Sequence, residues 1–133
     1  MYKIKKSFHL AYGHRLQDHD GKCANLHGHN AVVEVSLKAE QLGPGQMVMD
    51  FHVLGVRIKA WLDANLDHAT ILDKSDPLAE VLGKHGQRCF LTDTAPTAEV
   101  LARLIFEAAE KMGLPVAKVA FWETPTAMAS YKK

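Results

Sequence analysis

Cys23-Ala24-Asn25-Leu26-His27-Gly28-His29-Asn30-Ala31-Val32-Val33-Glu34-Val35-Ser36-Leu37 is the stretch whose reading decides the fold. From Asn30 to Glu40 apolar and polar residues alternate, with Val33, Val35 and Leu37 on one side and Glu34, Ser36 and Lys38 on the other. Side chains two apart in a strand share a face. Extended back to His27, the strand therefore puts His27 and His29 on the side of the valines. Residues 2–12 alternate too, with Tyr2, Ile4, Phe8, Leu10 and Tyr12 opposite Lys3, Lys5, Ser7 and His9, interrupted only by Lys6. His14 continues the apolar side just past Gly13. The polar segment 17–22 between the two runs reads as a loop, so the pair forms a hairpin that delivers a third imidazole beside the other two.

Three neutral imidazoles with one open position are how a catalytic zinc is usually held, whereas structural zinc sites are closed by four ligands. His14, His27 and His29 are thus the expected metal ligands and zinc the expected ion, although iron and nickel accept the same donors. The plain alternative is three unrelated histidines in a chain that holds eight. His9, His19, His52 and His85 read as surface or loop residues. Cys23 lies in a polar loop beside Lys22 and near the expected dication, surroundings that favour a reactive thiolate over a small buried hydrophobe. Cys89, between Arg88 and Phe90, has the plain reading.

Further along, Gly43-Pro44-Gly45 ends the hairpin, and Asp50 caps a helix that begins at Phe51. Phe51, Leu54, Ile58, Trp61 and Leu62 form its apolar stripe, and it ends near Leu66. Asp67-His68 follows, either as a helix end with a surface histidine or as a carboxylate and an acid–base imidazole. Adjacent side chains cannot easily meet in a helix, so one of the two is expected to work with a third group. Residues 69–77 read as a connection, 77–84 as a short helix and 88–92 as a short strand. Pro96-Thr97-Ala98-Glu99 opens a second long helix, with the stripe Leu101, Leu104, Ile105, Ala108 and Met112, closed by Gly113. Val116 to Trp122 reads as a strand, and a short last strand runs through Ser130 and Tyr131. Glu123 either marks where its strand meets water or offers a bidentate carboxylate to the N–H groups of a heterocycle. This order predicts one α+β domain over residues 1–133: an antiparallel four-stranded sheet with two long helices on one face.

Composition bounds the function. The chain has 133 residues and a formal net charge of +1, which gives no basic face for nucleic acid. No apolar run approaches the roughly 18–20 residues of a membrane helix. The basic start at Lys3, Lys5 and Lys6 has no apolar run behind it, and two cysteines fit a reducing compartment, so a cytoplasmic protein is expected.

Several separated segments then converge. Phe8 to Leu16, Cys23 with His27-Gly28-His29-Asn30, Met49-Asp50-Phe51, Leu66-Asp67-His68, Pro96-Thr97-Ala98-Glu99 and Glu123-Thr124 occur in one order. This pattern resembles the 6-pyruvoyl-tetrahydropterin synthase superfamily over nearly the whole chain. A cysteine four positions before the first histidine of His-Gly-His is most similar to the bacterial 6-carboxytetrahydropterin synthases of queuosine biosynthesis. The resemblance implies a tunnelling fold, a barrel closed by oligomerisation into a homohexamer of two trimers, with active sites between subunits. It implies zinc on His14, His27 and His29, catalysis by Cys23 with Asp67 and His68, and a pterin ring anchored by Glu123 near Thr97 and Glu99. The implied reaction converts 7,8-dihydroneopterin triphosphate to 6-carboxy-5,6,7,8-tetrahydropterin, with acetaldehyde and triphosphate released. Arg15 and Lys22 are candidate cations for the triphosphate. A pyruvoyl-forming or aldolase-like cleavage on the same scaffold is the alternative, and a non-catalytic metal- or pterin-binding module is the third reading. Ala98 stands where some relatives carry a hydroxyl, and residues 78–94 run longer than in compact members.

Overall fold

The computed structural model describes residues 1–133. Two thirteen-residue strands, β1 (Tyr2–His14) and β2 (His27–Ala39), form the hairpin that the alternation demands. They pair antiparallel over their full length, with Phe8 opposite Val33, Tyr12 opposite His29 and His14 opposite His27. Residues directly opposed on adjacent strands share a face. One face therefore carries Phe8, Leu10, Tyr12, Ala31, Val33, Val35 and Leu37, all buried, and ends in the three histidines. Lys6 keeps the same side, and its stem crosses the helix beyond at Gly55, where a Cβ would meet the Lys6 Cε at 2.8 Å. A long aliphatic stem can lie on apolar surface while its charge stays wet.

Helix α1 (Phe51–Asn65) starts where Asp50 caps it, its carboxylate accepting the amides of His52 and Val53. It buries Leu54, Ile58 and Leu62 against this face, while Phe51 remains exposed. Strand β3 (Ala69–Asp73) comes next, then α2 (Leu78–Lys84), β4 (Cys89–Thr92) and α3 (Ala98–Lys111). The buried stripe of α3 is Leu101, Ala102, Ile105, Phe106 and Ala109, with Leu104 and Met112 packed at its margin. Gly113 leaves the helix at φ +79°, a backbone angle costly for other residues. Strands β5 (Val116–Thr124) and β6 (Ala127–Tyr131) complete the chain.

The sheet has six strands in the order β4-β3-β1-β2-β5-β6. The antiparallel neighbours β1, β2, β5 and β6 are the four strands expected. The four-stranded sheet is nevertheless corrected, because β3 joins β1 in parallel and β4 joins β3 in parallel. Residues 69–73, read as a connection, are strand. Ala69, Ile71 and Leu72 are all buried, so the segment lacks the alternation that marks a one-sided strand. Segment 78–94 becomes α2 and β4, built onto that edge. No helix is long and apolar enough to cross a membrane.

Candidate metal centre and adjoining clefts

The register of β1 and β2 brings His14, His27 and His29 together, with one ligand nitrogen from each lying within 4.8 Å of the others. His14 is buried and the other two are half-buried. The Nδ1 of His14 lies 2.9 Å from the Pro96 carbonyl, and the Nδ1 of His27 lies 2.7 Å from the Asn25 carbonyl. A carbonyl oxygen can only accept, so each Nδ1 carries the proton and each Nε2 presents a lone pair. Those two Nε2 atoms are 3.1 Å apart. The Nε2 of His29 is buried with no hydrogen-bond partner. Two lone pairs facing each other beside an orphaned third nitrogen are unfavourable unless a cation sits between them. Carbonyls that fix the tautomer of each ring are also the usual outer support of a metal-bound imidazole. The residues therefore fit a divalent metal. Burial holds the His14 pKa below its ordinary value against the opposing pull of the Pro96 carbonyl, and this lowering favours the neutral ring that ligation needs.

Gly28 explains the middle of His27-Gly28-His29. A Cβ there would stand 3.0 Å from the Tyr12 carbonyl of β1. A side chain there would push the two strands apart by a few tenths of an ångström, so glycine keeps their close approach, on which the ring spacing depends.

Glu123, at the end of β5, reaches the same place. Its carboxylate lies 3.6 Å from the His29 Nε2 and 3.9 Å from the His14 Nε2. Tyr12 donates its hydroxyl to Glu123 at 3.5 Å, and its ring meets the rings of His14, His29 and Phe121. Burial, then the Glu123 charge, pushes the Tyr12 pKa far above its usual value, so the phenol stays a donor. The sequence reading placed Tyr12 in the core and missed this contact. The available signal was its position opposite His29 and two residues before His14.

Glu123, Thr97, Glu99, Ala98 and Leu16 line one cleft of about 230 Å³ with the start of β6. The three expected substrate-binding residues are thus neighbours. Thr97 also caps α3, its hydroxyl accepting the Val100 amide.

Asp67 and His68 occupy a different place. Asp67 accepts the Ala11 amide at 3.0 Å and bonds the His68 Nδ1 at 2.8 Å, while the His68 amide donates to the Ala11 carbonyl at 2.7 Å. Side chains of consecutive residues seldom meet in a helix. Here His68 has left the helix and stands at φ +58°, uncommon for a residue with a side chain, and that angle brings ring to carboxylate. Burial raises the Asp67 pKa, but the Ala11 amide and the His68 ring outweigh it and hold the carboxyl below its usual range. His68 is exposed and lines a cleft of about 510 Å³ that runs along the ends of β1 and β2, where Ala11, Tyr12, Gly13, His27, Gly28 and His29 all border it. Ala11 and Asn30 alternate with the histidine-bearing positions and so lie on the opposite face of the hairpin.

Cys23 sits half-buried in the short 3-10 turn Lys22–Ala24, its carbonyl accepting the Leu16 amide at 2.9 Å. No hydrogen bond joins it to Asp67 or His68, and it does not line their cleft. One chain alone therefore does not assemble the expected trio. Cys89 is half-buried and burial raises its pKa, consistent with an inert thiol. Arg15 is committed to Asp76, while Lys22 stays exposed.

The family model described as 6-pyruvoyl tetrahydropterin synthase matches residues 3–133. The chain belongs to this family. It is 34% identical to the 6-carboxy-5,6,7,8-tetrahydropterin synthase of Haemophilus influenzae over 141 aligned positions, covering 100% of each chain. It is 33% identical to the enzyme of the same name from Aquifex aeolicus, covering 99% of this chain and 98% of the relative. The solved 6-pyruvoyl tetrahydropterin synthase of Caenorhabditis elegans superposes with a TM-score of 0.74 at 27% identity, over 99% of this chain and 95% of that one.

Proposed function

We propose that this protein is a zinc-dependent 6-carboxy-5,6,7,8-tetrahydropterin synthase. Its reaction converts 7,8-dihydroneopterin triphosphate and water to 6-carboxy-5,6,7,8-tetrahydropterin, acetaldehyde and triphosphate. The observation that carries this reading is the His14/His27/His29 cluster, with its lone pairs converging beside Glu123. Relatives of that name, similar from end to end, support the choice of product over a pyruvoyl- or aldolase-type cleavage.

Each residue then has a task. Glu123 takes two N–H donors of the pterin ring, with the Tyr12 hydroxyl steadying the carboxylate and Thr97 and Glu99 beside the ring. Zinc on His14, His27 and His29 would supply a Lewis acid beside the substrate side chain, able to lower the pKa of its hydroxyls. Cys23, as thiolate, withdraws a proton from a side-chain carbon. His68, its Nδ1 tied to Asp67, offers Nε2 to return protons from the other side. Proton redistribution moves reducing equivalents from the side chain to the ring, so no external oxidant or reductant is consumed.

The active site on this reading lies between copies of the chain. Cys23 and the Asp67–His68 pair are unconnected in one copy, and a homohexamer of two trimers would bring a neighbour's pair to the thiolate. Such an assembly also covers the strand edges left open here. A cytoplasmic setting and a place in queuosine biosynthesis complete the proposal.

The test is incubation of the zinc-loaded protein with 7,8-dihydroneopterin triphosphate. Acetaldehyde and the carboxy product, identified by mass, are expected. A pyruvoyl or hydroxymethyl pterin would move the assignment to the other branches. No turnover by a zinc-loaded oligomer would leave a binding module.

A further inference from the structure

The carboxylate of Asp76 is almost wholly enclosed, its side chain 1% exposed. It receives the fork of Arg15: Nε donates to Oδ2 at 2.7 Å, and Nη2 donates to Oδ1. Oδ1 also accepts the Leu78 amide at 2.9 Å. Replacing a buried ion pair with well-packed apolar residues is often neutral or stabilising. Stability is therefore a poor reason to keep this pair, and position is a better one.

Arg15 follows His14 and precedes Leu16, and the Leu16 amide holds the carbonyl of Cys23 itself. Within residues 15–24 the remaining hydrogen bonds are internal: His19 to Leu16, Gly21 to the His19 ring, Ala24 to Gly21, and Asn25 onto Lys22. Only two side-chain hydrogen-bonded links leave this stretch for another part of the fold, Arg15 to Asp76 and Gln17 to Ser75 at 3.0 Å. Both end on one turn after β3. The second is exposed, whereas the first is part-buried and ends on an enclosed carboxylate, so the first carries the constraint.

The turn is itself braced. Asp73 accepts the Ser75 amide at 2.8 Å, the Asp76 amide donates to the Asp73 carbonyl at 2.9 Å, and the Lys74 amide donates to the Thr92 carbonyl of β4 at 2.8 Å. Thr92 is buried and its hydroxyl meets the carbonyls of Leu72 and Thr94. The segment with no evident task in the sequence thus builds the mount for a carboxylate.

We infer that Asp76 is a positioning residue for the Cys23 loop, acting through Arg15, and that β3, β4 and their turn are the frame that fixes it. Only the kinetic arm of the test rests on the synthase reading. A misplacement of about 1 Å at a reacting group can cost roughly 100-fold in rate.

The experiment compares full-length wild type with Asp76→Asn and Arg15→Lys, by amide hydrogen exchange and by kinetics with dihydroneopterin triphosphate. In both variants the amides of residues 15–24 should exchange at least about tenfold faster, with β1 and α3 unchanged. kcat should fall roughly 10- to 100-fold, KM should stay within about twofold, and bound zinc should be unchanged. If Asp76→Asn does not fold, Arg15→Lys decides alone, since it keeps the charge and gives up the fork. Faster exchange spread evenly over the molecule, or loop exchange equal to wild type, overturns the proposal. A raised KM with an undisturbed loop overturns it too, and assigns Arg15 to the triphosphate instead. Exchange is read without substrate, so it decides even if the wild type proves not to be a synthase.

Discussion

The Nε2 atoms of His14 and His27 face each other at 3.1 Å, and the carbonyls of Pro96 and Asn25 force a lone pair onto both. This contact is repulsive in the metal-free protein and cohesive once a cation divides it. Zinc at about 100 times its Kd should stabilise the protein against urea by roughly 2.7 kcal/mol. A chelator should remove that gain, and His14→Ala should abolish it. Equal unfolding midpoints with and without zinc would refute the assignment.

Separation of Cys23 from Asp67 and His68 within one chain gives the second expectation. Cys23→Ala and His68→Ala should each lower turnover about 10²- to 10⁴-fold, as removal of an acid–base group does. Mixed oligomers co-expressed from the two inactive genes should regain a measurable fraction of activity, because some sites combine an intact thiol with an intact neighbouring imidazole. Mixed oligomers as inactive as either parent would place both groups in one copy's site.

Glu123 and Tyr12 divide one task unequally. A hydrogen bond to a charged group contributes about 1.5–3 kcal/mol, so Glu123→Gln should weaken pterin binding roughly 10- to 100-fold. Tyr12→Phe removes only the 3.5 Å contact and should raise KM a few-fold with zinc content unchanged. Because the phenol stays protonated, the alkaline limb of the pH profile should be the same in wild type and Tyr12→Phe.

How much of this was legible depends on distance along the chain. The metal centre was readable because its geometry follows from two alternating runs and a hairpin, all within residues 2–40. The helix starts were readable from Asp50 as a cap and from Pro96-Thr97-Ala98-Glu99 with its acidic first turn, signals that act over two or three residues. β3 was not, because strand covered on both faces loses its period. The Asp67–His68 bond was hidden for another reason: it depends on a backbone angle at His68 that residue type does not announce. Asp76, in Lys74-Ser75-Asp76-Pro77, looks like any polar turn, and its partner lies 61 positions away.

Asp76 also makes acid stability testable. The Arg15 fork lowers its folded pKa most, burial opposes, and the Leu78 amide adds to the lowering. A carboxyl lowered in the folded state contributes stability that is fully present above its unfolded pKa of about 3.9 and is lost as pH falls through the folded value. The urea midpoint of wild type should therefore exceed that of Asp76→Asn by a constant amount near neutrality. The gap should narrow below about pH 4. A gap that widens toward acid would mean that the carboxylate is not held by Arg15 in solution. Asp67 and Glu34, also lowered, are common to both proteins and cancel in the difference.

Gly28 separates metal affinity from folding. A methyl group at this position meets the Tyr12 carbonyl at 3.0 Å, and both neighbours, His27 and His29, are ligands. The long hairpin can absorb a displacement of a few tenths of an ångström, since its core pairs lie further along at Phe8–Val33 and Leu10–Ala31. Three imidazoles aimed at one point cannot absorb it as well. Gly28→Ala should therefore fold, with the far-ultraviolet circular dichroism of the wild type, while zinc affinity falls about tenfold or more, the scale seen when the support of a ligand is disturbed. Competition with a chromophoric chelator measures that loss directly. Wild-type zinc affinity in a folded Gly28→Ala protein would mean that the close approach of β1 and β2 does not set the spacing of the three rings.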